Sequence, residues 1–159
     1  MLKIISSMNE LDFEQMCSVY KQSNSANAED GRIHLFDAER DFYDYLLYFF
    51  SRGNAFCAVW ACGGQYVAAL RIEPYCDGLL LTGLETAPEE REKGYATQLL
   101  SAVLEYLRVS SKSIVYSHVI KNNPASLAVH KKCGFVKHLD YAVYVDDSVS
   151  QNAYTLICK

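Results

Sequence analysis

The sequence predicts one α/β domain, a mixed sheet of about seven strands flanked by about four helices. Three observations carry this. The chain has 159 residues, half of them apolar, which suits a single continuous core. Short β-branched and aromatic runs alternate with segments whose apolar residues recur every three or four positions. No repeat, low-complexity tract or linker interrupts the order β-α-α-β-β-β-α-β-α-β-β over residues 1–159.

Each element has its own signal. Lys3 to Ser6 is β-prone, and Asn9 can cap a helix whose Phe13, Met16, Cys17 and Tyr20 share a face. The polar, small-residue stretch Ser23 to Gly31 reads as a loop. Asp37 then opens a second helix carrying Phe42, Tyr45, Leu46 and Phe49 and stopped by Gly53. Tyr43, Tyr48 and Phe50 lie off that stripe and suit either extra packing or the wall of an acceptor site. Ala55 to Ala61 and Tyr66 to Ile72 flank Cys62-Gly63-Gly64-Gln65 as a hairpin, and Gly78 to Thr86 is the next strand. From Ala96 to near Val109 the residues Leu99, Leu100, Val103, Leu104 and Leu107 form a buried helical stripe. Ile114 to Val119 returns to strand. Asn123 caps a short helix from Pro124 to Cys133 that Gly134 stops, and strands near Leu139 to Val145 and Tyr154 to Cys158 close the chain.

Composition narrows the partners. Fifteen Lys and Arg against 19 Asp and Glu leave a net charge of −4, and even Lys131-Lys132 is too short a basic cluster to track phosphates. No nucleic-acid partner is expected. No apolar run is long enough to span a bilayer, and the N-terminus turns polar too soon for a signal peptide, so the expectation is a cytoplasmic protein without a membrane role. Cys17, Cys57, Cys62, Cys76, Cys133 and Cys158 form no C-x-x-C pair and have no zinc-like histidine spacing, so no metal is expected.

The chemistry concentrates in two segments. In the first, the strand ending at Glu85-Thr86 runs through a short loop, Ala87 to Lys93, into the helix at Gly94-Tyr95-Ala96-Thr97. Free N–H groups of a loop and a first helical turn converge on one point with the positive end of the helix dipole, which makes an anion site. Gly94 leaves room for a diphosphate, Ala96 is nearly as small, and Arg91 or Lys93 adds charge. No P-loop and no dinucleotide-binding glycine trio is present. In the second segment Asn123, Leu127 and His130 share a helical face after a strand.

The two segments together resemble the GNAT N-acetyltransferase superfamily. Arg91 to Ala96 matches its R/Q-x-x-G-x-G/A loop, Asn123 to Phe135 matches its N-x-x-A/S-x-x-x-Y/H-x-x-x-G-F segment, and Gly94 and Gly134 stand 40 residues apart, as is usual there. The resemblance implies a GNAT-like fold and acetyl transfer from acetyl-CoA, as co-substrate, to a primary amine by direct attack. It implies that Arg91, Lys93, Gly94, Tyr95, Ala96 and Thr97 hold the pyrophosphate. The strand around Glu85-Thr86 would pair with the pantetheine arm, and Asn123 with Ser126 would line the other side. The family's parallel strands splay here, and an N–H near Thr86 would polarise the thioester carbonyl.

Glu85, which interrupts an apolar strand just before the anion loop, is the choice for general base; it also fits a solvated edge residue or a counter-ion for the amine. His130 stands where many family members have tyrosine. It suits either the acid that protonates the thiolate or a residue that packs on the cofactor or caps its helix. His118 reads as a satisfied strand-end residue, and Tyr116, Tyr141 and Tyr144 are alternative acids. An acidic chain with aromatic walls favours a small cationic amine or a peptide amine as acceptor, and a monomer or homodimer is expected. The alternative to an enzyme is a catalytically silent acyl-CoA-binding module of the same fold.

Overall fold

The computed structural model describes residues 1–29, 34–111 and 113–159. In chain order these residues form β1 (Leu2–Ile5), α1 (Phe13–Val19), α2 (Lys21–Glu29), α3 (Leu35–Ser51), β2 (Phe56–Cys62), β3 (Gln65–Tyr75), β4 (Gly78–Thr86), α4 (Tyr95–Ser110), β5 (Val115–Ile120), α5 (Pro124–Lys132), β6 (Val136–Leu139), β7 (Ala142–Val143), β8 (Val149–Ser150) and β9 (Ala153–Cys158). Seven strands make one mixed sheet in the order β1-β2-β3-β4-β5-β9-β6. Its one parallel pair is β4–β5. The expected α/β architecture is therefore present.

The sheet is buried on both faces because its strands carry apolar residues on both sides. Ala58, Leu70, Ile72 and Leu81 pack under the α4 stripe of Leu99, Leu100, Val103, Leu104 and Leu107. Cys57, Val59 and Ala69, on the opposite face, pack under Met16 and Val19 of α1 and Leu46 and Phe49 of α3. Leu99 and Leu100 are fully buried, and truncating either to alanine costs about 2–5 kcal/mol. Among the described residues no helix is long and apolar enough to cross a membrane.

Four local expectations are corrected. Lys21–Glu29 is a helix, so the described residues hold five α-helices where about four were expected, although Asp30 and Gly31 of the expected loop lie outside the described residues. No glycine or proline interrupts it, but it lacks an apolar stripe, so hydrophobic periodicity does not reveal it. The cap of α1 is Asp12, whose carboxylate accepts from Gln15 N–H at 3.1 Å, and Asn9 sits in a preceding 3₁₀ turn. Helix α3 starts at Leu35, two residues before Asp37. The strand expected from Leu139 to Val145 breaks: Lys137 pairs with Asp140 at 2.8 Å, Tyr141 C=O accepts from Thr155 Oγ1 at 2.7 Å, and the chain leaves the main sheet to form the small β7–β8 ribbon.

Candidate active site

β4 and β5 pair only from Leu79, Leu80 and Leu81 to Val115, Tyr116 and Ser117. Past that rung β4 stays with β3 as far as Thr86, and β5 stays with β9 as far as Ile120. A gap therefore opens in the middle of the sheet. Ala87 N–H donates to Val67 C=O at 3.0 Å on the β3 side, and N–H directions alternate along an extended strand. Thr86 N–H accordingly faces the gap. A cavity of about 970 Å³ runs through it from Ser23 of α2 on one face to the starts of α4 and α5 on the other.

The α4 end of the cavity has the geometry of an anion cradle. Gly94 is the N-cap with φ +80°, a left-handed conformation that favours glycine, and no side chain caps the helix. The first helical bond is Gln98 N–H to Gly94 C=O at 3.1 Å, which leaves the N–H groups of Tyr95, Ala96 and Thr97 without helical partners. All three residues, with Arg91 and Gly94, line the cavity. Lys93 does not: its ammonium is tied to Glu90 at 2.9 Å outside. The opposite wall is α5, where Asn123 Oδ1 accepts from Ser126 N–H at 3.1 Å and so orders the helix start.

His130 is almost fully buried on that wall. Its Nδ1 lies 2.8 Å from Ser126 C=O, which can only accept, so Nδ1 carries the proton and Nε2 accepts from Ser117 Oγ at 2.9 Å. Burial lowers its pKa. The ring is thus held neutral, with its lone pair already engaged by Ser117.

Glu85 lines the cavity from β4 and accepts a hydrogen bond from Ser23 Oγ. Burial raises its pKa, while Ser23, Arg71 and Arg91 oppose the rise. It stands beside the central gap rather than at an edge of the sheet. Its direction is set by a bulge: Ala69 pairs with Glu85 and Arg71 with Thr82, so β4 carries one extra residue between them. Gly83 supplies the turn with φ +59°. Without the bulge Thr82 and Glu85 would point to opposite faces; with it both point toward α1 and α3.

Of the residues expected at the site, the cavity brings together Glu85, Thr86, Arg91, Gly94, Tyr95, Ala96, Thr97, Asn123, Ser126 and His130. It adds Thr82, Ser117 and His118, and from α2 Gln22 and Ser23. His118 is not the satisfied residue expected of it: both ring nitrogens are buried without a partner, between the rings of Tyr75 and Tyr144 at 5.5 and 5.2 Å. Tyr116, one of the alternative acids, instead donates to Asp77 at 2.6 Å, which pushes its pKa up to about 12. Gln22 and Ser23 carried no sequence signal because their helix carried none.

The profile of the acetyltransferase (GNAT) family matches residues 14–135, more than three-quarters of the chain. The chain belongs to the GNAT family of acetyltransferases. Solved GNAT structures share the fold. The PaiA N-acetyltransferase of Thermoplasma acidophilum, determined with coenzyme A, superposes with a TM-score of 0.70 at 15% identity, covering 100% of this chain and 99% of that one. The ribosomal-protein-S18-alanine N-acetyltransferase of Escherichia coli superposes at 0.65 with 18% identity over 99% and 92%. A GNAT acetyltransferase of Bacillus cereus gives 0.65 and 17% over 100% and 97%. No curated protein matches this GNAT chain in sequence.

Proposed function

We propose that this chain transfers an acetyl group from acetyl-CoA to the primary amine of a small molecule or peptide, by direct attack with both substrates bound. One observation carries the reading: the gap between β4 and β5 joins an uncapped helix N-terminus, an outward N–H at Thr86 and a half-buried carboxylate at Glu85 in a single cavity. Acetyl-CoA supplies an activated acyl carbon and a thiolate leaving group. The N–H groups of Tyr95, Ala96 and Thr97, with Arg91, suit its pyrophosphate, while Lys93 is already paired with Glu90 outside the cavity. Asn123 and Ser126 flank the other side. That the PaiA enzyme was determined with coenzyme A supports the same assignment.

Thr86 N–H donates to the thioester oxygen, where charge builds as nitrogen adds to carbon. Glu85 takes the proton of the attacking ammonium, directly or through a water, and its raised pKa moves it toward a base that works near neutrality. His130, neutral and hydrogen-bonded at both nitrogens, serves as a positioning residue that holds Ser117 at the last rung before the gap. A thiolate whose thiol pKa is roughly 8.5, by analogy with cysteine, departs without needing a strong acid beside it. The surface thiols Cys62 and Cys76 are free, which suits a reducing cytoplasm.

The test is calorimetric titration with acetyl-CoA and, separately, ATP and NAD, followed by a mass-spectrometric screen of amines. Binding of acetyl-CoA alone, lost in Gly94→Glu, and turnover lost in Glu85→Gln are expected. Folded protein that binds no acetyl-CoA overturns the reading. Binding without turnover of any amine selects the silent acyl-CoA-binding module.

A further inference from the structure

Three side chains form a row across the face that looks toward α1 and α3. Arg71 on β3 pairs in register with Thr82 on β4, and Thr82 is one step beyond the last rung to β5, where the next residue is His118. Each carries a buried polar atom with no partner: Nε of Arg71, Oγ1 of Thr82, and Nδ1 and Nε2 of His118. Buried donors are rarely left unsatisfied. No hydrogen bond or ion pair to the Arg71 side chain occurs among the described residues.

Arg71 is nevertheless held in place. Its guanidinium lies 5.2 Å from the ring centroids of both Tyr20 and Tyr45. The Tyr20 hydroxyl is anchored on Gly83 C=O, and a β-carbon on Gly83 would overlap the guanidinium. Arg71 therefore lies over Gly83, which with Thr82 and His118 lines the cavity. The bulge makes Arg71 and Glu85 diagonal neighbours on this face.

We infer that the row of Arg71, Thr82 and His118 holds the carboxylate of the acceptor, so that the acceptor is a free amino acid with its ammonium at Glu85. The inference rests on the acetyl-transfer reading above. Its chemistry is that of the donors. A guanidinium N–H, a hydroxyl and an imidazole N–H all seek an acceptor, and a carboxylate offers two oxygens with about four lone pairs. Charge selects a zwitterion: one fixed cation and one fixed carboxylate stand side by side, which suits one negative and one positive group on the same molecule. A plain diamine would leave Arg71 facing a cation, and a phosphate dianion would face Glu85 with a single arginine to balance it.

The experiment compares each amino acid with its own carboxamide, together with simple alkylamines and dipeptides. Two readouts are used: acetylation, and binding to the CoA-loaded protein by calorimetry. Amino acids are expected to exceed their amides in kcat/KM and in affinity by on the order of tenfold to a hundredfold, the worth of a charge-assisted hydrogen bond. In Arg71→Met the ratio of acid to amide should fall toward one through KM, and Thr82→Val, which leaves the cation in place, should lower it by a smaller factor. Should Arg71→Met not fold, Thr82→Val and Arg71→Lys carry the test. Amides or alkylamines used as well as amino acids overturn the inference while leaving acetyl transfer standing. Amino acids that bind through Arg71 without being acetylated overturn the transfer reading instead. A panel in which no amino acid binds or reacts overturns the inference outright.

Discussion

Ser23 on α2 donates its hydroxyl to Glu85 on β4, joining a helix with no apolar stripe to the carboxylate that sits beside the sheet's gap. This bond holds the Glu85 pKa down against the burial that raises it. Ser23→Ala removes the opposing effect, so the pKa rises further and the base is unloaded only at higher pH. The acid limb of the pH profile of kcat/KM should move upward, with the plateau lowered less than the limb is shifted; an unmoved limb separates Ser23 from Glu85.

Glu85 also links stability to pH. Its folded pKa is raised above its ordinary value of about 4.5, so the folded state binds the proton more tightly than the unfolded chain. That contribution is present below the ordinary value and is lost as pH rises through the folded pKa. Glu85→Gln should therefore abolish turnover yet unfold at equal or higher urea concentration near pH 7. The difference from wild type should close below about pH 4.5.

His130 gives the opposite sign. Burial lowers its folded pKa below the ordinary 6.5, so its contribution is present above that value and is lost as pH falls through the folded pKa. His130→Phe strands the Ser117 hydroxyl and breaks the bond to Ser126, which should cost about 1–3 kcal/mol at neutral pH. Denaturant titrations at about pH 5 and about pH 7.5 should show a smaller difference in the variant than in wild type, the remainder coming from groups such as His118, whose pKa burial also lowers. An undiminished difference excludes His130 as its source.

Gly83 and Gly94 separate strain from overlap. Both have positive φ, +59° and +80°. An added β-carbon at Gly94 meets only Gln98 Nε2, at 3.9 Å, whereas at Gly83 it meets the Arg71 guanidinium. Gly94→Ala should lose about 1 kcal/mol of stability, the cost of a left-handed residue, and weaken acetyl-CoA binding. Gly83→Ala should lose more, about 2–3 kcal/mol, and impair acceptor use while acetyl-CoA still binds. Equal losses in both, by urea denaturation, would mean that Arg71 yields freely.

The sequence by itself determined the α/β class, the hairpin at Gly63-Gly64, the apolar stripe of α4 and the cap of α5 at Asn123. Each of these is a local pattern: a turn dipeptide, a period, a cap with its proline. The two motifs also carried the proposed cofactor end of the site, because a cradle of free N–H groups at a helix start is built from consecutive residues. What only the tertiary structure decided is non-local. The extra residue in β4 has no signature beyond Gly83, since a glycine in a strand reads equally as a weak point or a bulge, yet it turns Glu85 toward the face of Thr82 and Arg71. Helix α2 is placed over the gap by its contacts with other elements rather than by a period of its own. The state of the histidines follows from neighbours: His130 meets Ser117 and Ser126, one of them on another element, while His118 meets only aromatic rings. Burial and partnership belong to the packed sheet, and a linear pattern carries neither.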